Sequence, residues 1–567
     1  MAKEVQVDNV AEAYLELLAA RGIQYFFGNG GTDFAPIVEA YSKRIQQEQP
    51  LPRPIPVPHE ITAVAMACGY TMVTGKPQVV MVHTTPGTAN AVSQIISASR
   101  ANIPMLFSAG RTPTSEGDAL GSRDGGIHWA QEAYDQGGMV REWVKWDYEL
   151  RHGVDLEAVV DRALAITETE PAGPVYLMLP REVLAEKLEK FTYGEKARMT
   201  KASEAMPSPE TISQLARALA KAKNPLMITR GVGRDPRAVA SLVELAELTG
   251  MAVCEAGASY VNFPKNHPLY GGDAGSALPE ADVLLVAEVD VPWIPKRTGP
   301  KEDALVAWLG VDPLYARYAQ RGFRMDMNLT GSPRLTFQAL TKAVKEIGVD
   351  ASAVKARIAK WAKIGDARRE DLKKRAEAGK NQRPISKAYF SRCFAEAMDA
   401  NTVMVNEIGL DASYMEFTQP GSYFGGSPAG SLGFALGASL GIKLASPEKT
   451  VVCCVGDGSY IFGCGEAAHM VSDVQHLPVL TIVWNNGIWN AVQNATRTVY
   501  PGGAAMRNNN YAITTLSQAF GFEKVCEAGG GYGERVEDPA QVPAAIQRAL
   551  KVVRQEKRQA LLNVVGA

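Results

Sequence analysis

No stretch of this 567-residue chain approaches the roughly 20 uninterrupted apolar residues that a membrane-spanning helix requires, which argues against an integral membrane protein. Neither sign of charge is in excess. With 59 basic against 61 acidic residues, the chain offers no electrostatic case for binding nucleic acid or an anionic membrane. Cysteine is sparse and scattered: Cys68, Cys254, Cys393, Cys453, Cys454, Cys464 and Cys526 make an odd set of seven. They form neither a disulfide framework nor zinc-ligand spacing, as expected of reduced thiols in a cytoplasm. The opening segment Met1–Val10 is polar and acidic, where a secretory signal would be basic and then apolar, so none is expected. What remains is a cytoplasmic globular protein of roughly three domains.

The pattern that is present alternates helices and strands. Val10–Ala20 has apolar residues at helical spacing, Gly22 stops it, and Ile23–Phe27 reads as a short strand ending in Gly28. Glu60–Val73 reads as helix; Val79–His83, Ile103–Ser108 and Val175–Leu179 read as buried parallel strands. A polar linker is expected over Glu182–Pro209. Further strands are expected at Leu226–Thr229, Ala252–Glu255, Val283–Val286, Ala307–Leu309, Thr402–Val405, Thr450–Val455 and Pro478–Trp484. The fold class is therefore α/β, with three doubly wound parallel-sheet domains at 1–185, 205–348 and 385–567. The Lys-, Arg-, Glu- and Ala-rich stretch between the last two, 349–384, reads as a solvated helical linker.

Two polar clusters follow buried strands in the last third. Gly456-Asp457-Gly458-Ser459 follows Thr450–Val455, and Asn485-Asn486-Gly487 ends the strand that reaches Trp484. Ends of parallel strands are where open α/β sheets bind ligands. The glycines admit a bulky anion, Ser459 adds a donor at a helix start, and a carboxylate with an amide oxygen suits magnesium holding a diphosphate. Gly-Asp-Gly alone is a common tight turn; its pairing with Asn-Asn carries the signal.

This arrangement resembles the thiamine diphosphate fingerprint of the superfamily that includes acetohydroxyacid synthase, pyruvate decarboxylase and benzoylformate decarboxylase. The resemblance implies Asp457, Asn486 and the carbonyl of Ile488 as Mg2+ ligands, with Gly458 and Ser459 at the cofactor. The interval is two residues longer than expected, which an insertion between Glu466 and Pro478 would absorb. Glu60, opening the pattern through Ala63, Ala67, Gly69 and Tyr70, matches the family's catalytic glutamate on the aminopyrimidine ring. Gly430 would offer its carbonyl to that ring and Leu432 would bend the cofactor, while Asn406, Glu407, Gly409 and Leu410 would help hold the diphosphate. In the family the two halves meet across a dimer interface, so a homodimer is the implied minimum and a homotetramer is usual.

The same resemblance points to a reaction. His83, in Val80-Met-Val-His83-Thr-Thr-Pro-Gly87-Thr-Ala-Asn90, stands where benzoylformate decarboxylase has a histidine, a residue able to exchange protons near neutral pH. Thr32, in a Phe27–Thr32 loop where Gly30 replaces the usual proline, falls at an active-site serine position. Arg111, His128 and Trp293 are substrate-side candidates, with ion pairing or core packing as the plainer roles. No flavin-binding pattern is found in the central domain, so FAD is not expected. The favoured function is a non-oxidative 2-oxo acid decarboxylase or carboligase. The alternatives are an acetolactate synthase-like transferase, a 2-hydroxyacyl-CoA lyase, or a catalytically silent cofactor-bound assembly protein.

Overall fold

The computed structural model describes residues 2–567. The N-terminal unit has strands β1 (Ala2–Gln6), β2 (Tyr25–Gly28), β3 (Arg53–Pro56), β4 (Val79–Val82), β5 (Met105–Arg111), β6 (Asp147–Glu149), β7 (Pro174–Pro180) and β8 (Lys190–Gly194). The central unit has β9 (Pro225–Thr229), β10 (Ala252–Glu255), β11 (Tyr270–Gly272), β12 (Val283–Ala287), β13 (Leu305–Gly310) and β14 (Met327–Thr330). The C-terminal unit has β15 (Thr402–Glu407), β16 (Tyr423–Gly425), β17 (Thr450–Gly456), β18 (Val479–Asn485), β19 (Tyr532–Val536) and β20 (Ala560–Val565). Three six-stranded sheets result, ordered β3-β2-β4-β5-β7-β6, β11-β10-β9-β12-β13-β14 and β16-β15-β17-β18-β20-β19. Every pairing within them is parallel. Counted along the chain, the first and third sheets share one strand order: second, first, third, fourth, sixth, fifth.

That order puts a topological switch between β2 and β4 in the first sheet and between β15 and β17 in the third. Crossovers leave in opposite directions there, opening a crevice at the carboxyl ends of the strands. The central sheet has its switch between β9 and β12. Its crevice is bridged by the chain itself: the Gly231 amide donates to the Glu288 carbonyl at 2.9 Å, and Arg234 pairs with Glu288 at 3.4 Å.

Eight helices matter for the site: α1 (Val10–Ala20), α2 (Glu60–Thr74), α3 (Thr84–Arg100), α4 (Ala351–Ala378), α5 (Lys387–Ala397), α6 (Phe434–Ala445), α7 (Asp457–Phe462) and α8 (Gly465–Val474). α4 is solvated nearly throughout, as its composition predicts; only Gly365 and Ala376 are buried. α2 is the opposite, buried at every residue from Glu60 to Thr71, because it crosses α6 of the C-terminal unit. The crossing is at backbone contact. A side chain at Gly69 would overlap the Ala438 carbonyl, and one at Gly441 would overlap that of Met66. Among the described residues, no helix is long and apolar enough to cross a membrane.

The expected linker over 182–209 is only partly one. Phe191 and Tyr193 alternate with exposed Lys190 and Thr192, so β8 has one buried face and pairs antiparallel with β1.

Candidate active site

In the C-terminal unit, β17 and β18 run in register with Gly456 opposite Trp484, so Asp457 and Asn486 emerge side by side. The interval between the two strands holds α7 and α8. Asp457 Oδ1 accepts the Gly458 amide at 2.8 Å and Oδ2 the Gly487 amide at 2.7 Å. Burial pushes its pKa up, against the pull of those amides. Asn486 Oδ1 accepts the Ile488 amide at 3.1 Å, and the Ile488 carbonyl accepts from Asn490 at 3.0 Å. Each oxygen keeps a second lone pair, and a partly desolvated carboxylate gains from a nearby cation. One carboxylate, one amide oxygen and one carbonyl form a hard-oxygen donor set that fits magnesium on a diphosphate.

Several neighbours act differently from expectation. Gly458 does not leave its bare face to the anion, because a Cβ there would run into the Trp489 ring; Gly456 is the glycine with open space. Asn406 faces its own loop, accepting the Leu410 amide at 3.0 Å and donating to the Leu410 carbonyl at 2.9 Å. The Leu410 side chain lies in the core, and Gly409 packs on the Cys454–Val455 backbone. Glu407 likewise turns inward, accepting the Gly433 amide at 2.7 Å and the Ala435 amide at 2.9 Å, with the Ser459 hydroxyl beside it. Its burial raises the carboxyl to about 7. The polar groups of Asn406 and Glu407 are thus spent on the loops after β15 and before α6. Gly430 is exposed in left-handed backbone (φ 69°) with open space where a Cβ would stand, and Leu432 is half-buried just beyond.

At the equivalent switch of the N-terminal sheet, Glu60 is the first residue of α2, 8% exposed, beneath an N-cap in which His59 Nδ1 accepts the Ile61 amide. Asn90, one turn and a half into α3, donates to Glu60 Oε2 at 3.3 Å. His83 caps α3, and its Nδ1 lies 2.5 Å from Asp33 Oδ1. The carboxylate can only accept, so Nδ1 carries the proton and Nε2 is left for other partners. Asp33 holds the imidazole pKa above its ordinary value, with partial burial opposing and the Gln131 side chain and Glu60 assisting. Two glycines make room for this pair: a side chain at Gly31 would overlap the imidazole, and one at Gly110 would overlap the Asp33 carboxylate.

Asp33 was not legible as a site residue, whereas Thr32 was expected to be one. The structure leaves Thr32 exposed and turns its neighbour inward, 2% exposed. Gln94, also on α3, was missed too; its Nε2 donates to the Leu432 carbonyl at 3.0 Å, joining the two units within one chain. Cys464, beside α8, is close enough to Glu60 to feel its charge. No hydrogen bond links Glu60 to Asp457 or Asn486 among the described residues.

Each substrate-side candidate has partners, although Arg111 Nη1 is buried with none. Arg111 is held by Glu132 at 2.5 Å and Glu149 at 3.2 Å. His128 is buried with Nδ1 accepting the amides of Asp124 and Gly125, both at 3.3 Å. Trp293 packs on Trp308 and Phe323 in the central core.

Comparison with known proteins extends this over the whole chain. Three family models match in order: the N-terminal thiamine pyrophosphate binding domain at residues 8–139, the central domain at 212–340 and the C-terminal thiamine pyrophosphate binding domain at 409–564. The acetolactate synthase isozyme 1 large subunit of Escherichia coli K12 is 27% identical over 90% of this chain and 88% of its own. Benzoylformate decarboxylase of Pseudomonas aeruginosa is 26% identical over 85% of this chain and 87% of its own. A sulfoacetaldehyde acetyltransferase of Alcaligenes xylosoxydans is 25% identical over 98% and 92%. In fold, the chain superimposes on the 4-hydroxybenzoylformate decarboxylase of Rhodococcus jostii RHA1 with a TM-score of 0.77, 23% identity and 98% of each chain covered. This chain belongs to the thiamine pyrophosphate (thiamine diphosphate) enzyme family, whose members act on carbon–carbon bonds.

Proposed function

We propose that the protein is a magnesium-dependent, non-oxidative 2-oxo acid decarboxylase or carboligase. The observation that supports this most directly is the His83–Asp33 pair beside Glu60: a positioned proton donor at the switch point of one sheet, with the hard-oxygen set of Asp457 and Asn486 at the matching point of another. Bound thiamine diphosphate would supply a carbon nucleophile and an electron sink for the pair released when a carboxylate departs. Asp457, Asn486 and the Ile488 carbonyl would hold the metal, and Leu432, fixed by Gln94, would support the cofactor ring.

Glu60, buried and with one oxygen fixed by Asn90, would hydrogen-bond the aminopyrimidine of the bound cofactor. His83, protonated over a wider pH range than a free imidazole, gives a proton from Nε2 to the substrate-derived carbon and regains it from solvent. Exposed Ile461 and Phe462 on α7 and Met470 and Val474 on α8 form an apolar surface that suits a homodimer as the minimum assembly.

Carbon dioxide release and products from a panel of 2-oxo acids, read with thiamine diphosphate and magnesium on material sized by light scattering, test the reading. Aldehyde formation is expected, with Glu60→Gln lowering turnover roughly 100-fold or more at unchanged thermal stability. The acetolactate synthase and acetyltransferase relatives favour a second reading, an acyl-transferring synthase, which coupled products without free aldehyde would establish. No release from any acid, or a Glu60→Gln variant as active as the parent, would remove the decarboxylase reading.

A further inference from the structure

We propose that Lys387 is a cationic anchor for the cofactor's diphosphate, placed where the three strands carrying the diphosphate and metal residues end. The inference rests on the thiamine diphosphate reading above. Lys387 opens α5. Its ammonium donates to the Ile408 carbonyl at 3.1 Å, just past the end of β15, and lies 5.0 Å from the centre of the Trp484 ring near the end of β18. Ile408 also bridges Val455, two residues before Asp457 at the end of β17. One side chain thus reaches the junction of all three strand ends.

Three features suggest that this cation awaits an anion. Among the described residues it has no ion-pair partner, and Ile408 is its one hydrogen-bond acceptor, so two of its three N–H donors remain available. The neighbouring carboxylates, Asp411 and Asp457, favour its charge from a distance, while burial works against it and prevails in lowering its pKa. A half-buried ammonium with two unused donors gains a charge-assisted partner once an anion arrives. Finally, the segment that follows offers a phosphate no side-chain hydroxyl: Gly409 has none, and Leu410 points into the core with its amide taken by Asn406.

The Ile408 contact gives Lys387 a second effect. Ile408 is a β-branched residue in left-handed backbone (φ 64°), with its side chain 64% exposed. Its carbonyl is held by the same ammonium that the diphosphate would use, so the loop and the anion share one donor group.

The test is binding, read by tryptophan fluorescence, since Trp484 and Trp489 adjoin the site. Thiamine diphosphate and thiamine monophosphate, each with magnesium, are titrated into the parent, Lys387→Met and Lys387→Arg. The expected result is a preference for diphosphate over monophosphate that shrinks about ten-fold in Lys387→Met and is largely restored in Lys387→Arg. A pure clamp on Ile408 would weaken both ligands equally and leave the ratio unchanged, which would overturn the anchor. Equal binding of thiamine diphosphate by Lys387→Met and the parent would overturn it too, while leaving the cofactor reading intact. Failure of the parent itself to bind thiamine diphosphate would overturn both. Should Lys387→Met not fold, a parent ratio unaltered in Lys387→Gln refutes the anchor and a ratio lowered with Lys387→Arg normal sustains it.

Discussion

The Asp33–His83 contact can be read directly from the pH profile. Asp33 raises the His83 pKa, so removing its charge must lower it. If protonated His83 is the donor, activity falls as pH rises through that pKa. Asp33→Asn should therefore move the descending limb to lower pH and cost roughly ten-fold in kcat/KM on the alkaline side. An unmoved limb would assign the limb to another group. His83 and Glu60 were legible because each stands in a distinctive run of residues. Asp33 was not, because nothing in Thr32-Asp33-Phe34 says which neighbour faces inward; the glycine that makes room for its carboxylate, Gly110, is distant in sequence. Gly458 shows the same limit. Its smallness was attributed to an anion, and the structure adds a requirement from Trp489 that sequence could not show.

Among elements, the strands with continuous apolar runs were legible, since burial on both faces leaves β-branched stretches such as Thr450–Val455. The short edge strands were not. β3 is Arg-Pro-Ile-Pro and β6 is Asp-Tyr-Glu, and at a sheet edge such residues are tolerated because one side needs no partner. The α2–α6 crossing was visible only as a helix rich in small residues. Its close approach predicts that Gly441→Ala, forcing a methyl into the Met66 carbonyl, will destabilise the protein by about 1–3 kcal/mol. Urea unfolding checks this; an alanine without effect would show that the crossing can open freely.

At the scale of the molecule, two sheets of identical strand order each present a switch point, and the residues proposed for the reaction divide between them. The central sheet, wound differently, contributes none of the residues with an assigned role. The domain count was legible from length and alternation, but the shared order was not, because strand order is set by which apolar faces find each other and not by local pattern. The buried helix α2 carries a consequence for biosynthesis. It is made with the first domain, while α6, which covers it, is translated only after the whole central domain. Until then the nascent chain presents an uncovered apolar rod, the kind of surface that holdase chaperones bind. A chain ending at residue 204 should accordingly pellet on expression alone and stay soluble when the C-terminal unit is co-expressed. A fragment soluble without help would mean that the first domain covers α2 by itself.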